Sequence, residues 1–292
     1  MRIVPNDAPL GARVEEIDLA QPLADGDFRT ILRALARHGV LCFPRQSLEP
    51  AQLSSFGARF GELEINVANR FHPPGHPEVM ILSNIMADGQ PTGLADAGQL
   101  WHTDVSYARV IAFANVLHAK AVPMRDGRPL GDTEFHNMCT AYDDLPDAIK
   151  RKLEGRNAIH DFCTFWDRML ARPGSTRLPL TEEQRRSRPP VTHPIFMTHP
   201  VSGRRALYCN PGFTTAIEGM PQDESDAMLD VLFRHQLQPK YFYAHKWTLG
   251  DVLMWDDIGT IHNAASDYGA DTPRLMHRVQ VMATLDYQRL AA

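Results

Sequence analysis

The sequence predicts a mainly β protein with flanking helices, a barrel or jelly roll with helical decoration. Three observations predict it. Short apolar runs such as Val40-Leu41-Cys42-Phe43 and Val79-Met80-Ile81-Leu82 recur along the chain, each bounded by Gly, Pro or polar residues. Few stretches carry the i, i+3, i+4 spacing of a core-facing helix. No internal repeat or low-complexity tract is present. With 292 residues, 43% of them hydrophobic, the chain can bury a sizeable core, and we expect one domain over 1–292.

Residues 2–19 alternate loosely and predict two short strands around a turn at Gly11. Asp25 or Asp27 is expected to cap a helix to about His38, with Phe28, Ile31, Leu32 and Leu35 on its buried face and Gly39 as its stop. Val40–Phe43 reads as a buried strand ended by Pro44. Pro50, a good first-turn residue, opens a second helix to Phe60. After the strand at 79–82, residues 84–99 read as a loop rich in Gly, Asp and Ala. Ile111–Val122 is a long apolar strand and Gly131–Phe135 a shorter one, followed by helical stretches at 137–142 and 146–154. Residues 163–190 carry six arginines and four prolines with little periodicity, and read as a connection without regular structure. Such connections inside a compact domain are commonly functional, so we expect lids at 84–99 and 163–190. Strands at 192–199 and 204–209 flank a Ser202-Gly203 turn. A helix at 222–237 and strands at 241–246, 251–255, 260–264 and 274–284 complete the chain.

The net charge of −5 provides no basic footprint for nucleic acid. The longest apolar run is too short to span a membrane. Cys42, Cys139, Cys163 and Cys209 form no Cys-x-x-Cys pair, which argues against a zinc knuckle and fits a reducing cytoplasm.

Candidate chemistry lies at His102-Thr103-Asp104. On a strand, side chains at i and i+2 share a face, so an imidazole and a carboxylate project together while Thr103 turns away. That is two thirds of the 2-His-1-carboxylate set that binds Fe(II) and leaves positions open. The tripeptide alone is a weak signal, since such pairs also arise by chance on surfaces. His262 can supply the second imidazole, although it lies 262 − 104 = 158 residues beyond Asp104. Arg274 and Arg278 share one face of a later apolar strand, where guanidiniums need anions.

His102-Thr103-Asp104, Gly131-Asp132-Thr133, His262 and the Arg274/Arg278 pair together resemble the taurine/2,4-D dioxygenase family, in order and with similar gaps, from about residue 10 to about 285. The resemblance implies a double-stranded β-helix, the cupin-like jelly roll. It implies that His102, Asp104 and His262 hold Fe(II) and that 2-oxoglutarate and O2 are cosubstrates. Arg274 would pair with the distal carboxylate of 2-oxoglutarate through its planar fork, and Thr133 would donate its hydroxyl to the same group. Arg278 and His72 would hold an anion on a small organic substrate, and Trp255 would line the pocket near iron. The resemblance also implies a homo-oligomer, a dimer or tetramer. Asp96-Ala97-Gly98-Gln99-Leu100 departs from the Asn- and Asp-rich loop of taurine enzymes, which argues for an anionic substrate other than taurine.

Two other classes compete with this reading. A metal-dependent hydrolase on the same barrel would use zinc-activated water, but the sequence offers no evident extra carboxylate base. A non-catalytic binding module would not need the intact triad. His193, His199, His277 and Trp101 read as structural residues.

Overall fold

The computed structural model describes residues 1–65, 70–172, 175 and 177–291. A seven-stranded sheet forms its centre. In spatial order its strands are Arg2–Pro5, Ala12–Glu15, Val40–Phe43, Val252–Asp256, Ala112–Ala121, Leu275–Met282 and Met80–Ser83. The pair Ala12–Glu15 and Val40–Phe43 runs parallel, and the remaining neighbours are antiparallel. The two central strands read as near-continuous apolar runs because both of their faces are covered.

Alternation along the strands explains how the two faces differ. Leu41, Phe43, Val252, Met254, Val279 and Val281 point to one side, where Ile31, Leu32, Leu35, Leu53 and Phe56 of two helices close over them. Val40, Cys42, Leu253, Trp255 and Met276 point to the other side, where they meet Phe135. Phe135 belongs to a three-stranded sheet ordered Phe242–His245, Thr133–Asn137, Thr260–Ala264. The two sheets therefore share one apolar layer. Leu32 is fully buried in the helix-covered cluster, and truncating such a residue to Ala costs roughly 2–5 kcal/mol.

The first helix is Asp25–His38 and buries the expected Phe28, Ile31, Leu32 and Leu35. Neither Asp25 nor Asp27 caps it. The cap position is Ala24, without a side-chain bond, and Asp25 pairs instead with Arg59 at 2.7 Å. Gly39 adopts φ 70° to end the helix, and a Cβ there would meet Leu10 Cδ2 at 2.7 Å. The helix expected from Pro50 does start there and runs to Ala58.

The run at 192–199 is two strands, not one. Val191–Pro194 joins a sheet with Asn157–His160 and Thr214–Ile217, while Phe196–Thr198 pairs with Arg205–Leu207 across the Ser202-Gly203 turn. Ile195 is the crossing point, its amide bonding Arg156 O and its carbonyl accepting from Tyr208 N. The Asn157–His160 and Thr214–Ile217 strands are too short and polar to show a periodic signal.

The two expected lids hold more regular structure than the sequence suggests. Residues 84–99 include a small hairpin, Met86–Ala87 against Gln90–Pro91. Residues 163–190 include most of the helix Phe162–Leu170 and the helix Glu182–Arg186. Pro173, Gly174 and Thr176 of that second segment lie outside the described residues.

Candidate active site

The His-Thr-Asp motif does not lie on a regular strand. His102 forms an isolated bridge with His262: each backbone N–H donates to the other's carbonyl, at 3.0 and 2.8 Å. The chain then turns away, and Asp104 stands in that turn. Leu100 and Val105, on either side, have φ of 76° and 54°. Positive φ at a β-branched residue is an outlier, and each such residue costs on the order of 1–3 kcal/mol. Burial of Val105 and the Ala108 N–H bond to its carbonyl help hold the turn. Thr103 turns away as expected, its hydroxyl lying 3.3 Å from Thr260 O.

This backbone brings together three side chains from distant positions. His102 Nε2 is 3.5 Å from Asp104 Oδ1, His262 Nε2 is 3.6 Å from Asp104 Oδ2, and the imidazole centroids are 4.2 Å apart. All three residues are buried, and their ligand atoms lie within 4.8 Å of one another. His102 Nδ1 faces Leu100 O at 2.7 Å. Donation there leaves Nε2 as a lone-pair donor. Gly212 packs against His102, and a Cβ on it would come within 2.8 Å of His102 Cβ.

The charge states suit a cation. Burial alone would raise the Asp104 carboxyl, but the Arg278 guanidinium, His102 and His262 outweigh it and hold the group well below the usual carboxylate range. Burial pushes His262 well down, His102 and Arg278 add to that, and Asp104 opposes it. An ionised carboxylate beside a neutral imidazole is the form that binds a metal.

Residues that sequence reasoning did not single out support Asp104. Asn115 Nδ2 donates to Asp104 Oδ2 at 3.0 Å and to Asp257 Oδ2 at 2.6 Å. Asp257 is fully buried, and burial, with the charges of Asp104 and Asp256, raises its carboxyl well above the ordinary value. An extra carboxylate therefore does lie behind the site, buried and bonded to Asn115 rather than turned toward open space. Asn115 is a polar residue within the largely apolar strand Ala112–Ala121, which also carries His118 and Lys120, so it gives only a faint sequence signal.

Arg274 and Arg278 are both buried, at 5% and 8% exposure. Arg274 has no carboxylate within ion-pair distance among the described residues, its Nε has no acceptor there, and its guanidinium lies 5.6 Å from the centroid of the Tyr268 ring. Burial lowers its pKa while Tyr268 opposes the shift. Arg278 pairs with Asp104 Oδ2 at 3.3 Å and reaches Met80 Sδ at 3.2 Å, and its Nε also lacks an acceptor. Neither Asp256 nor Asp257 takes it: Asp256 faces His199 at 3.1 Å, and Asp257 bonds Asn115.

Thr133 is buried, and its hydroxyl accepts from Trp247 Nε1. Trp255 packs on His262 with centroids 4.9 Å apart, and its buried Nε1 has no hydrogen-bond partner among the described residues. His72 is exposed, its Nδ1 lying 3.2 Å from Pro73 O, and no described contact joins it to the triad. Phe165 and Phe213 lie 6.2 and 5.9 Å from His102, and Tyr107 packs on Phe213 at 4.7 Å, forming an aromatic wall. His193 and His199 act locally: His193 Nε2 faces Ala108 O, and His199 Nδ1 accepts the Val201 and Ser202 amides. Trp101 packs edge-on to His136.

Comparison with known proteins agrees with this geometry. The family model described as "Taurine catabolism dioxygenase TauD, TfdA family" matches residues 4–280. The chain is 34% identical to the alpha-ketoglutarate-dependent 2,4-dichlorophenoxyacetate dioxygenase of Burkholderia sp. (strain RASC), over 86% of this chain and 84% of that protein. It is 30% identical to pentalenolactone F synthase of Streptomyces arenae, over 93% and 92% respectively. Its fold superposes on the crystal structure of AAD-2 in complex with Mn(II) and N-oxalylglycine with TM-score 0.81 and 29% identity, covering 97% of this chain and 99% of that one.

Proposed function

The chain belongs to the taurine catabolism dioxygenase TauD, TfdA family, and from that premise we propose that it hydroxylates a small anionic organic substrate using Fe(II), 2-oxoglutarate and O2. One observation carries the cosubstrate assignment: a buried Arg274 with no carboxylate partner among the described residues, four positions before the Arg278 that pairs with Asp104 of a buried two-histidine, one-aspartate cluster. A buried guanidinium requires an anion, and a dicarboxylate that reaches from the cluster to Arg274 supplies one.

In this reading His102, Asp104 and His262 hold the iron. Iron with 2-oxoglutarate and O2 supplies the oxidant, leaving succinate and CO2. Arg274 and Thr133 bind the distal carboxylate of 2-oxoglutarate. Trp255, with its unpartnered indole N–H, and the aromatic wall of Phe165 and Phe213 exclude water from the reacting carbon. Arg278 binds the substrate anion; its single ion pair to Asp104 leaves guanidinium donors free. His72 joins that grip only if its loop moves inward. If the hydroxylated carbon bears an ether, sulfonate or sulfate oxygen or sulfur, the product collapses and that bond breaks. Asp257, fully buried and bonded to Asn115, is not placed to activate a water for the hydrolase alternative.

The two facing sheets support a double-stranded β-helix within a single domain. Residues 84–99 and 163–190 form its lids, a reading supported by the bidentate pair of Arg177 with Asp96, at 2.8 and 3.2 Å, which joins the two segments. No helix among the described residues is long and apolar enough to cross a membrane. The four free cysteines fit the cytoplasm, and by family resemblance the protein assembles as a dimer or tetramer.

Succinate release tests the function. Purified protein with Fe(II), 2-oxoglutarate and O2 is screened against aryloxyalkanoates, sulfonates, alkyl sulfates and N-modified amino acids. At least one class should stimulate succinate formation in a stoichiometric ratio to substrate consumed. Succinate formation that persists in His262→Ala would contradict the assignment.

A further inference from the structure

We propose that Trp247 is a positioning residue for the cosubstrate, its indole N–H fixing the Thr133 hydroxyl as a donor aimed at the distal carboxylate of 2-oxoglutarate. The inference rests on the function proposed above and deepens it.

Thr133 opens the middle strand of the three-stranded sheet, opposite His245 on one side and Ala264 on the other. It is 3% exposed. Trp247 Nε1 donates to its Oγ1 at 3.1 Å. An indole nitrogen can only donate, so the threonine oxygen is committed as an acceptor. The hydroxyl hydrogen has no acceptor among the described residues. Buried polar groups are ordinarily satisfied, so this hydroxyl is half-satisfied and offers one proton outward.

The same corner holds a second unsatisfied donor. Gly131, two residues earlier, stands so close to Arg274 that a Cβ on it would lie 3.3 Å from Arg274 Nε. That nitrogen also lacks an acceptor. A hydroxyl proton and a guanidinium beside one short segment are both satisfied by a group that only accepts, and a carboxylate is such a group.

Trp247 is itself held in place. Its ring meets His245 edge-on at 4.9 Å and 89°. His245 lies between Asp251, 3.2 Å from Nε2, and the Tyr243 hydroxyl, 3.3 Å from Nδ1. The Thr248 amide, next in the chain, donates to the same Asp251 oxygen at 3.0 Å. The indole edge therefore has one orientation, and the threonine proton inherits it. Without the indole donor, the Thr133 hydroxyl is free to rotate.

Calorimetric titration of the Mn(II)-loaded protein tests this with two ligands, 2-oxoglutarate and pyruvate, a 2-oxo acid that lacks the distal carboxylate. Trp247→Phe should weaken 2-oxoglutarate about 5-fold, the value of one hydrogen bond of roughly 1 kcal/mol, and leave pyruvate unchanged. The double variant Trp247→Phe/Thr133→Val should bind 2-oxoglutarate no more weakly than Thr133→Val alone, whereas in a Thr133→Ser background the Trp247 effect should persist. If Trp247→Phe lowers the folded fraction, benzothienylalanine at 247 keeps the ring shape without the N–H and takes its place. Equal weakening of both ligands, or full additivity with Thr133→Val, would overturn the proposal. A wild-type protein that binds 2-oxoglutarate no more tightly than pyruvate would overturn the distal-carboxylate reading instead, and the two failures are distinct.

Discussion

Replacing Arg274 with Ala removes a buried cation that has no acid within ion-pair distance among the described residues. The guanidinium is 5% exposed, and its Nε has no acceptor among the described residues. In the proposed reading its partner is the distal carboxylate of 2-oxoglutarate, and the pair it forms is desolvated. Truncating one side of a buried, hydrogen-bonded charge pair costs roughly 2–5 kcal/mol. At about 1.4 kcal/mol per tenfold, that predicts at least about 30-fold weaker 2-oxoglutarate binding. Arg274→Lys should recover only part of the loss, because a point charge replaces a two-pronged donor. Titration of the Mn(II)-loaded protein measures both dissociation constants. Circular dichroism should show an unchanged fold, since Ala removes a buried charge that no described acid balances. Unchanged 2-oxoglutarate affinity in Arg274→Ala would refute the reasoning and move the distal carboxylate to Arg278.

Three further outcomes follow from the geometry. Asp104→Ala should destabilise the metal-free protein by roughly 3–5 kcal/mol, since it strands the buried Arg278, while adding Arg278→Met should restore much of that; equal denaturation midpoints for Asp104→Ala and wild type would contradict the pairing. Hydrogen exchange at 84–99 and 163–190 should slow when metal, 2-oxoglutarate and substrate are all bound, and Arg177→Ala, which cuts the tie to Asp96, should speed exchange in both segments; equal protection before and after binding would exclude a lid. Burial holds His136 and His277 near pKa 4 and His160 near 3, Lys120 and His118 adding to the shift at His277 and His193 at His160. Because these folded values lie below the ordinary 6.5, the unfolded chain takes up protons first, so stability is full above about pH 6.5 and falls as pH drops toward 4. Urea midpoints at pH 7.5 and 5 should differ in that direction, and a higher midpoint at pH 5 would contradict it.

Charged and metal-binding residues were legible in the sequence because their chemistry is costly wherever it is buried. His102, Asp104 and His262 do meet, Arg274 and Arg278 are both buried, and Arg278 pairs with Asp104. The reason given for the first pair was incomplete: His102 and Asp104 converge through a bridge and a strained turn, not through strand alternation. Asn115, Asp257 and Trp247 were not legible as site residues. Trp247 acts on Thr133 and Asp257 on Asn115, each more than a hundred positions away in sequence, and Asn115 reaches Asp104, eleven positions earlier, across a turn; no local pattern encodes such pairings. The helix Phe162–Leu170 was hidden for another reason. Its buried residues are Phe165 and Met169 alone, too few for the period to stand out among the arginines and prolines that follow.

The central claim is that this cluster binds Fe(II) and 2-oxoglutarate together. Anaerobic absorption spectroscopy tests it most directly. Adding 2-oxoglutarate to the Fe(II)-loaded protein should produce a weak visible charge-transfer band that saturates at one equivalent per site, is absent with Zn(II), and is lost in His262→Ala. Fe(II) bound to the protein with no new band on addition of 2-oxoglutarate would contradict the account.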